Sequence, residues 1–271
     1  MPILNKDMVL CISLAARPSN FGTRFHNFLY DELGLNFAYK AFVPADLALA
    51  VAGIRGLGIR GCAVSMPYKE SVIALIDDMD VSASAIDSVN TIVNDAGRLT
   101  AYNTDYTAVQ HLLARHRVPT GLSILVRGSG GMAKAVTAAL RDAGFTRGTV
   151  VARNEVAGRS LAELYGYAWA PAVGELTADV LVNVTPVGMS GGPDESFSSF
   201  TEDTIAAATW VIDVVALPSE TPLILAARAA GKPVITGAEV AVLQAEEQFV
   251  LYTGMRPSAE QVRRAAEFAR G

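Results

Sequence analysis

The chain has 271 residues, of which 51% are hydrophobic and 18% charged, with 23 glycines; this is the make-up of an α/β protein long enough for two domains and excludes a disordered or fibrous chain. A formal net charge of -5 leaves no basic field to condense on phosphate backbones or anionic lipid, so neither nucleic acid nor a membrane is an expected partner. The two cysteines, Cys11 and Cys62, sit inside apolar runs as small buried hydrophobes and point to a reducing compartment.

The apolar stretch 8–16 is read as a strand and not as a targeting signal, because Asp7 breaks the positive flank and Arg17-Pro18 ends the run. No stretch approaches the roughly 18 to 20 apolar residues of a spanning helix, and the expected location is the cytoplasm. Strands are predicted over 8–14, 37–42 and 59–65. Helices over 21–33 and 45–57 alternate with them, with Ser19 or Asn20 and Pro44 as start signals. Segments 88–93 and 99–102 flank Asn94-Asp95-Ala96-Gly97, which has the chemistry of a tight hairpin turn. Asn103-Thr104-Asp105 supplies capping side chains ahead of a helix over 106–115.

A second unit opens with a buried strand over 123–126, the loop Gly128-Ser129-Gly130-Gly131 and a helix over 132–143. Strand, Gly128-x-Gly130-x-x-Ala133 and helix is the order a dinucleotide site needs: Gly128 makes the turn and Gly130 lets a pyrophosphate approach the helix N-terminus. A tight turn without a ligand has the same spelling. Further strands over 148–152, 180–184, 210–215 and 233–236 alternate with helices over 156–165 and 222–230, in the manner of a nucleotide-binding fold. Amphipathic helices over 238–253 and 258–270 close the chain. About 20 positions past the loop, where an acid would hold the ribose of NAD, stands Ala152-Arg153-Asn154. Arg153, with Arg159 adding charge, suits the 2′-phosphate of NADP. A solvated loop cation is the alternative, and Glu155 keeps NAD open.

Val64-Ser65-Met66-Pro67-Tyr68-Lys69 sets a lysine just past a strand, at the edge where open α/β sheets form their sites. It is a surface cation or a proton shuttle. Here the residues resemble the shikimate dehydrogenases, and more closely their shikimate dehydrogenase-like branch. Ser65-Met66-Pro67-Tyr68-Lys69 is similar to the family's catalytic-lysine motif, Ser88-Val89-Asn90-Thr91 to its Val-Asn-Thr segment, and Asn103-Thr104-Asp105 to the motif of its catalytic aspartate. The resemblance implies a catalytic pair, Lys69 and Asp105, with Ser65, Asn90, Asn103 and Gln244 around the substrate. It implies NADP contacts from Gly128, Ser129, Gly130, Gly131, Met132, Ala133, Arg153 and Asn154, and from Val184, Thr185, Met189, Val214 and Gly237 near the nicotinamide. The implied fold is α/β with two domains: a substrate domain over 1–104, to which 238–271 returns, and a Rossmann-type doubly wound parallel sheet over 105–237.

Two departures stand out. The family's Ser-Lys-Ser-Pro motif, whose hydroxyls bind the substrate carboxylate, is replaced by Pro18-Ser19-Asn20-Phe21-Gly22-Thr23, where Ser19 and Thr23 are either substitute ligands or helix caps. Ala216-Leu217-Pro218 lacks the family's tyrosine. The expected activity is reversible hydride transfer between NADP(H) and shikimate or a close cyclic hydroxy acid, by a monomer or homodimer without a metal. A quinate or aminoshikimate-type dehydrogenase and a low-turnover nucleotide-binding regulator are the competing readings.

Overall fold

The computed structural model describes residues 4–271, so the first three residues of the predicted substrate domain lie outside it. Contacts divide the chain into two units, one reaching to Thr104 and including Val242–Gly271, the other Asp105–Ala241.

The first unit carries β1 (Val9–Leu14), α1 (Phe21–Glu32), β2 (Phe37–Phe42), α2 (Leu47–Gly56), β3 (Gly61–Val64), β4 (Asp78–Met79), α3 (Val81–Ser84), β5 (Thr91–Asp95) and β6 (Arg98–Tyr102). Its sheet has the order β2-β1-β3-β5-β6-β4, with β5 antiparallel to both neighbours. Side chains alternate across a strand, so β1 feeds two cores: Cys11 joins Phe25, Leu29 and Phe249 on one face, while Ile12 and Leu14 join Val51 and Ile54 on the other. The hairpin turn is tight, since Asp95 pairs with Arg98 and leaves only Ala96 (φ 51°) and Gly97 (φ 92°) between them.

One helix start differs from the sequence reading and one agrees with it. The cap of α2 is Asp46, whose carboxylate accepts from Leu49 N at 2.8 Å, and Pro44 lies outside the helix. Asn20 holds the cap position of α1 without a side-chain bond, while Ser19 Oγ accepts from Phe21 N at 3.4 Å. The elements β4 and α3 and a 3₁₀ turn at Ile73–Leu75 are too short for periodicity to mark.

The second unit carries α4 (Thr104–Arg115, starting at the end of the first unit), β7 (Ile124–Arg127), α5 (Gly131–Asp142), β8 (Gly148–Val151), α6 (Glu155–Tyr165), β9 (Ala168–Ala170), β10 (Val180–Asn183), α7 (Glu202–Ala207), β11 (Trp210–Asp213), α8 (Pro222–Ala229) and β12 (Val234–Thr236). All strands are parallel in the order β12-β11-β10-β7-β8-β9, with the change of winding direction between β7 and β10, where such folds bind ligands. The edge strand β9 and the short α7 were absent from the sequence reading. The remaining helices are α9 (Gly237–Thr253), which runs through the division between the units, and α10 (Ala259–Arg270). Among the described residues no helix is long and apolar enough to cross a membrane.

Candidate active site

In the first unit, three separate segments are stitched side by side. Lys69, half-buried in the turn after β3, accepts from Val89 N at its carbonyl (2.9 Å), and Val64 N donates to Asn90 O (2.7 Å). Asn103 Nδ2 donates to Ser88 O at 2.8 Å. The Asn90 amide is locked to Thr104: its Oδ1 accepts from Thr104 N at 2.8 Å and its Nδ2 donates to Thr104 Oγ1 at 3.0 Å. Asp105 follows directly in the first turn of α4 and is buried, as are Asn90, Thr91, Asn103 and Thr104. Buried amides and hydroxyls hold one geometry only when their bonds are made, so this network fixes where Asp105 leaves the first unit.

The network includes a residue that the sequence reading missed. Gln248, buried on α9, donates Nε2 to Thr91 Oγ1 at 3.0 Å and to Asn90 O at 3.3 Å. Gln244 is half-buried one turn earlier on the same helix, so the i, i+4 spacing of the two glutamines was the available signal. Ser65 is exposed at the end of β3. Thr23 lies inside α1 and does not cap it; its buried Oγ1 has no hydrogen-bond partner among the described residues. His26, one turn further, is wholly enclosed and stacks on Tyr39 at 4.5 Å. Burial pushes its pKa down to about 3, against a smaller opposing effect of Gln248, so the ring is neutral.

In the second unit the glycines divide their work. Gly128 has φ 130°, and a Cβ there would stand 2.8 Å from Val184 Cγ2 and 3.0 Å from its carbonyl oxygen, so both conformation and space require glycine. Gly130 has φ -83°, and a Cβ there would meet nothing within 4 Å. That open space lies at the head of α5, whose first turn, from Gly131 through Met132 and the buried Ala133, holds no acid. Ser129 is half-buried beside it. Space for backbone approach and an uncancelled helix N-terminus are what a pyrophosphate needs.

Arg153 is exposed just past β8 and makes no ion pair or hydrogen bond among the described residues. Asn154 caps α6 by accepting from Ala157 N at 3.1 Å. Arg159 donates to Glu155 at 2.8 Å and lies 4.2 Å over the Trp169 ring, so its charge is committed locally and Glu155 is answered by it. Val184 is buried, while Thr185, Met189 and Val214 are half-buried, and Thr185 Oγ1 donates to Asn183 Oδ1 at 2.6 Å. Asp213 anchors this edge, accepting from Thr221 Oγ1 (2.6 Å), Asn183 Nδ2 (2.9 Å) and Val215 N (3.1 Å); burial pushes its pKa up against those bonds. At Gly237 a Cβ would stand 2.3 Å from the Val215 carbonyl, a backbone contact no other residue permits. Ala216 is half-buried and Leu217 exposed where the family tyrosine is missing. No cluster of metal-ligating side chains occurs among the described residues.

Residues 21–92 match the model of the shikimate dehydrogenase substrate binding domain. A shikimate dehydrogenase-like protein of Haemophilus influenzae is 54% identical over 268 residues, covering 99% of each chain. The NADP(+) shikimate dehydrogenase of Citrifermentans bemidjiense is 36% identical over 252 residues, 86% of this chain and 85% of its own. Among solved structures, the shikimate 5-dehydrogenase of Thermus thermophilus in complex with NADP(H) and shikimate aligns with a TM-score of 0.87 at 30% identity, covering 97% of this chain and all of that one (100%). The quinate dehydrogenase of Corynebacterium glutamicum in complex with NAD aligns with a TM-score of 0.86 at 27% identity, covering 96% and 98%.

Proposed function

The chain belongs to the shikimate dehydrogenase family, in its shikimate dehydrogenase-like branch, and from that premise we propose that it interconverts shikimate and 3-dehydroshikimate, or a close cyclic hydroxy acid pair, with NADP(H). The observation that carries this reading is the stitched network of Lys69, Ser88–Thr91 and Asn103–Thr104, which ties the lysine turn to the start of the helix bearing Asp105. The bound cofactor supplies the hydride chemistry. Lys69 takes the hydroxyl proton as the alcohol is oxidised and returns it in the reverse direction, while Asp105 hydrogen-bonds the same hydroxyl and orients it. Asn90, Asn103, Ser65 and Gln244 hold the ring, with Ser19 and Thr23 toward its carboxylate; the unpartnered Thr23 Oγ1 favours Thr23 over the capped Ser19. NADP is preferred over NAD because Arg153 is uncommitted while Glu155 is paired with Arg159.

Steady-state kinetics with shikimate, quinate and both cofactors test the substrate. Lys69→Ala is expected to lower turnover by roughly 10² to 10⁴ with NADPH affinity nearly unchanged; undiminished turnover removes the lysine from this role. A second reading, a nucleotide-binding regulator of low turnover, is favoured by the exposed Leu217 and by the Ala216 that stands in place of a phenol. It requires tight NADPH binding with negligible oxidation of every acid in the panel.

A further inference from the structure

An arginine at the end of a buried parallel strand is costly unless something answers its charge. Arg127 is such a residue, placed immediately before the glycine loop. In the β7–β8 ladder it stands opposite Val151. Alternation puts Leu125 and Arg127 on one face of β7, and Val151, the partner of Arg127, on the same face of β8; Arg153 follows two residues past the end of that strand. Leu125 and Val151 do share one core cluster with Phe200. The two arginines therefore stand at adjoining strand ends, near enough that the charge of Arg153 acts on Arg127.

Their surroundings answer the charge only in small part. The half-buried Arg127 guanidinium donates to a neutral carbonyl, that of Ser199. Burial lowers its pKa, the positive charge of Arg153 lowers it further, and the opposing field of Asp194 is the smallest of the three influences. No ion pair joins Arg127 or Arg153 to a carboxylate among the described residues. Two guanidinium groups that repel one another, one half-buried and one exposed, make a fork for a doubly charged phosphate monoester.

We propose that Arg127 is a specificity-determining residue that grips the 2′-phosphate of NADP together with Arg153. This rests on the NADP reading above and adds a second cation to it. Titration calorimetry on the full chain compares 2′,5′-ADP with 5′-AMP, which differ only in the 2′-phosphate. In Arg127→Gln the neutral amide keeps a donor for Ser199 but loses the charge. It is expected to weaken 2′,5′-ADP by about 10- to 100-fold while changing 5′-AMP by less than about threefold, with Arg127→Lys restoring part of the loss. Equal losses for both nucleotides would reduce Arg127 to an anchor of the Ser199 loop, and no loss would remove it altogether; either overturns the proposal. If Arg153→Ala alone erases the preference for 2′,5′-ADP while Arg127→Gln does not, the NADP reading stands without Arg127. A wild-type chain that does not prefer 2′,5′-ADP brings down both.

Discussion

The two units hold their functional residues by opposite means. In the second, backbone does the positioning: Gly128 brings the loop against Val184, Gly130 leaves space above α5, and Gly237 presses on the Val215 carbonyl. In the first, buried side chains do it, as Asn90, Thr91, Thr104 and Gln248 bond one another and Asn103 donates to the Ser88 carbonyl. Backbone sites tolerate no added atom, whereas side-chain networks tolerate no lost partner.

Alanine in the glycine loop gives the largest expected effect that separates these two designs. Gly130→Ala fits the backbone and meets open space, so the melting temperature should stay within a degree or two of wild type, as a strain-free surface change does. NADPH affinity should nevertheless fall about 10- to 100-fold, because the methyl fills the room the phosphates need. Gly128→Ala should lose both affinity and stability, since its φ of 130° and the 2.8 Å approach to Val184 strain the loop itself. Calorimetric binding and thermal melts of both variants decide the matter. A Gly130→Ala protein that binds NADPH normally would make the motif a turn and nothing more.

This contrast also explains what was legible in the sequence. Glycine spacing, strand runs and the hairpin at Ala96-Gly97 are local, so periodicity and turn chemistry gave the Rossmann-type sheet and the glycine loop from the residues themselves. Lys69 and Asp105 are far apart along the chain, and pattern alone left the lysine open between surface cation and proton shuttle; family resemblance singled out the pair. Gln248 went unseen because its partners, Asn90 and Thr91, lie more than 150 residues away. The start of α2 was misplaced because Pro44 is a more conspicuous signal than Asp46, although only the latter has a side chain that can accept from Leu49 N. The cap reading of Thr23 failed because the helix already begins at Phe21.

A smaller effect exposes the cost of the aromatic and polar packing in the first unit. His26 titrates at about 3 in the folded chain because it is buried, and near 6.5 when unfolded. Between those values the unfolded chain holds the extra proton, so stability should fall as pH drops, by up to about 1.4 kcal/mol per pH unit. Urea unfolding between pH 6.5 and 5, where carboxylates remain largely ionised, should show this slope in wild type and one proton less of it in His26→Phe. Identical slopes would mean that the ring is hydrated or charged in the fold.

The smallest expected effect belongs to Gln248, and it tests whether the side-chain network acts on substrate alone. In Gln248→Leu neither oxygen is stranded: Thr91 Oγ1 keeps its 2.8 Å bond to Asn90 Oδ1, and Asn90 O keeps the bond from Val64 N, while the buried His26 ring loses the influence of the Gln248 amide. The cost in stability should therefore be only about 1 kcal/mol, that of one neutral hydrogen-bonding group. What the variant loses is the tie between α9 and the Asn90 segment, so KM for shikimate should rise roughly three- to tenfold through looser placement of Asn90. NADPH affinity should not move, because no part of the glycine loop depends on the glutamine. A Gln248→Leu protein that binds NADPH more weakly, with an unchanged KM, would show that the network supports the nucleotide as well, and that the division of labour between side chains and backbone does not follow the two units.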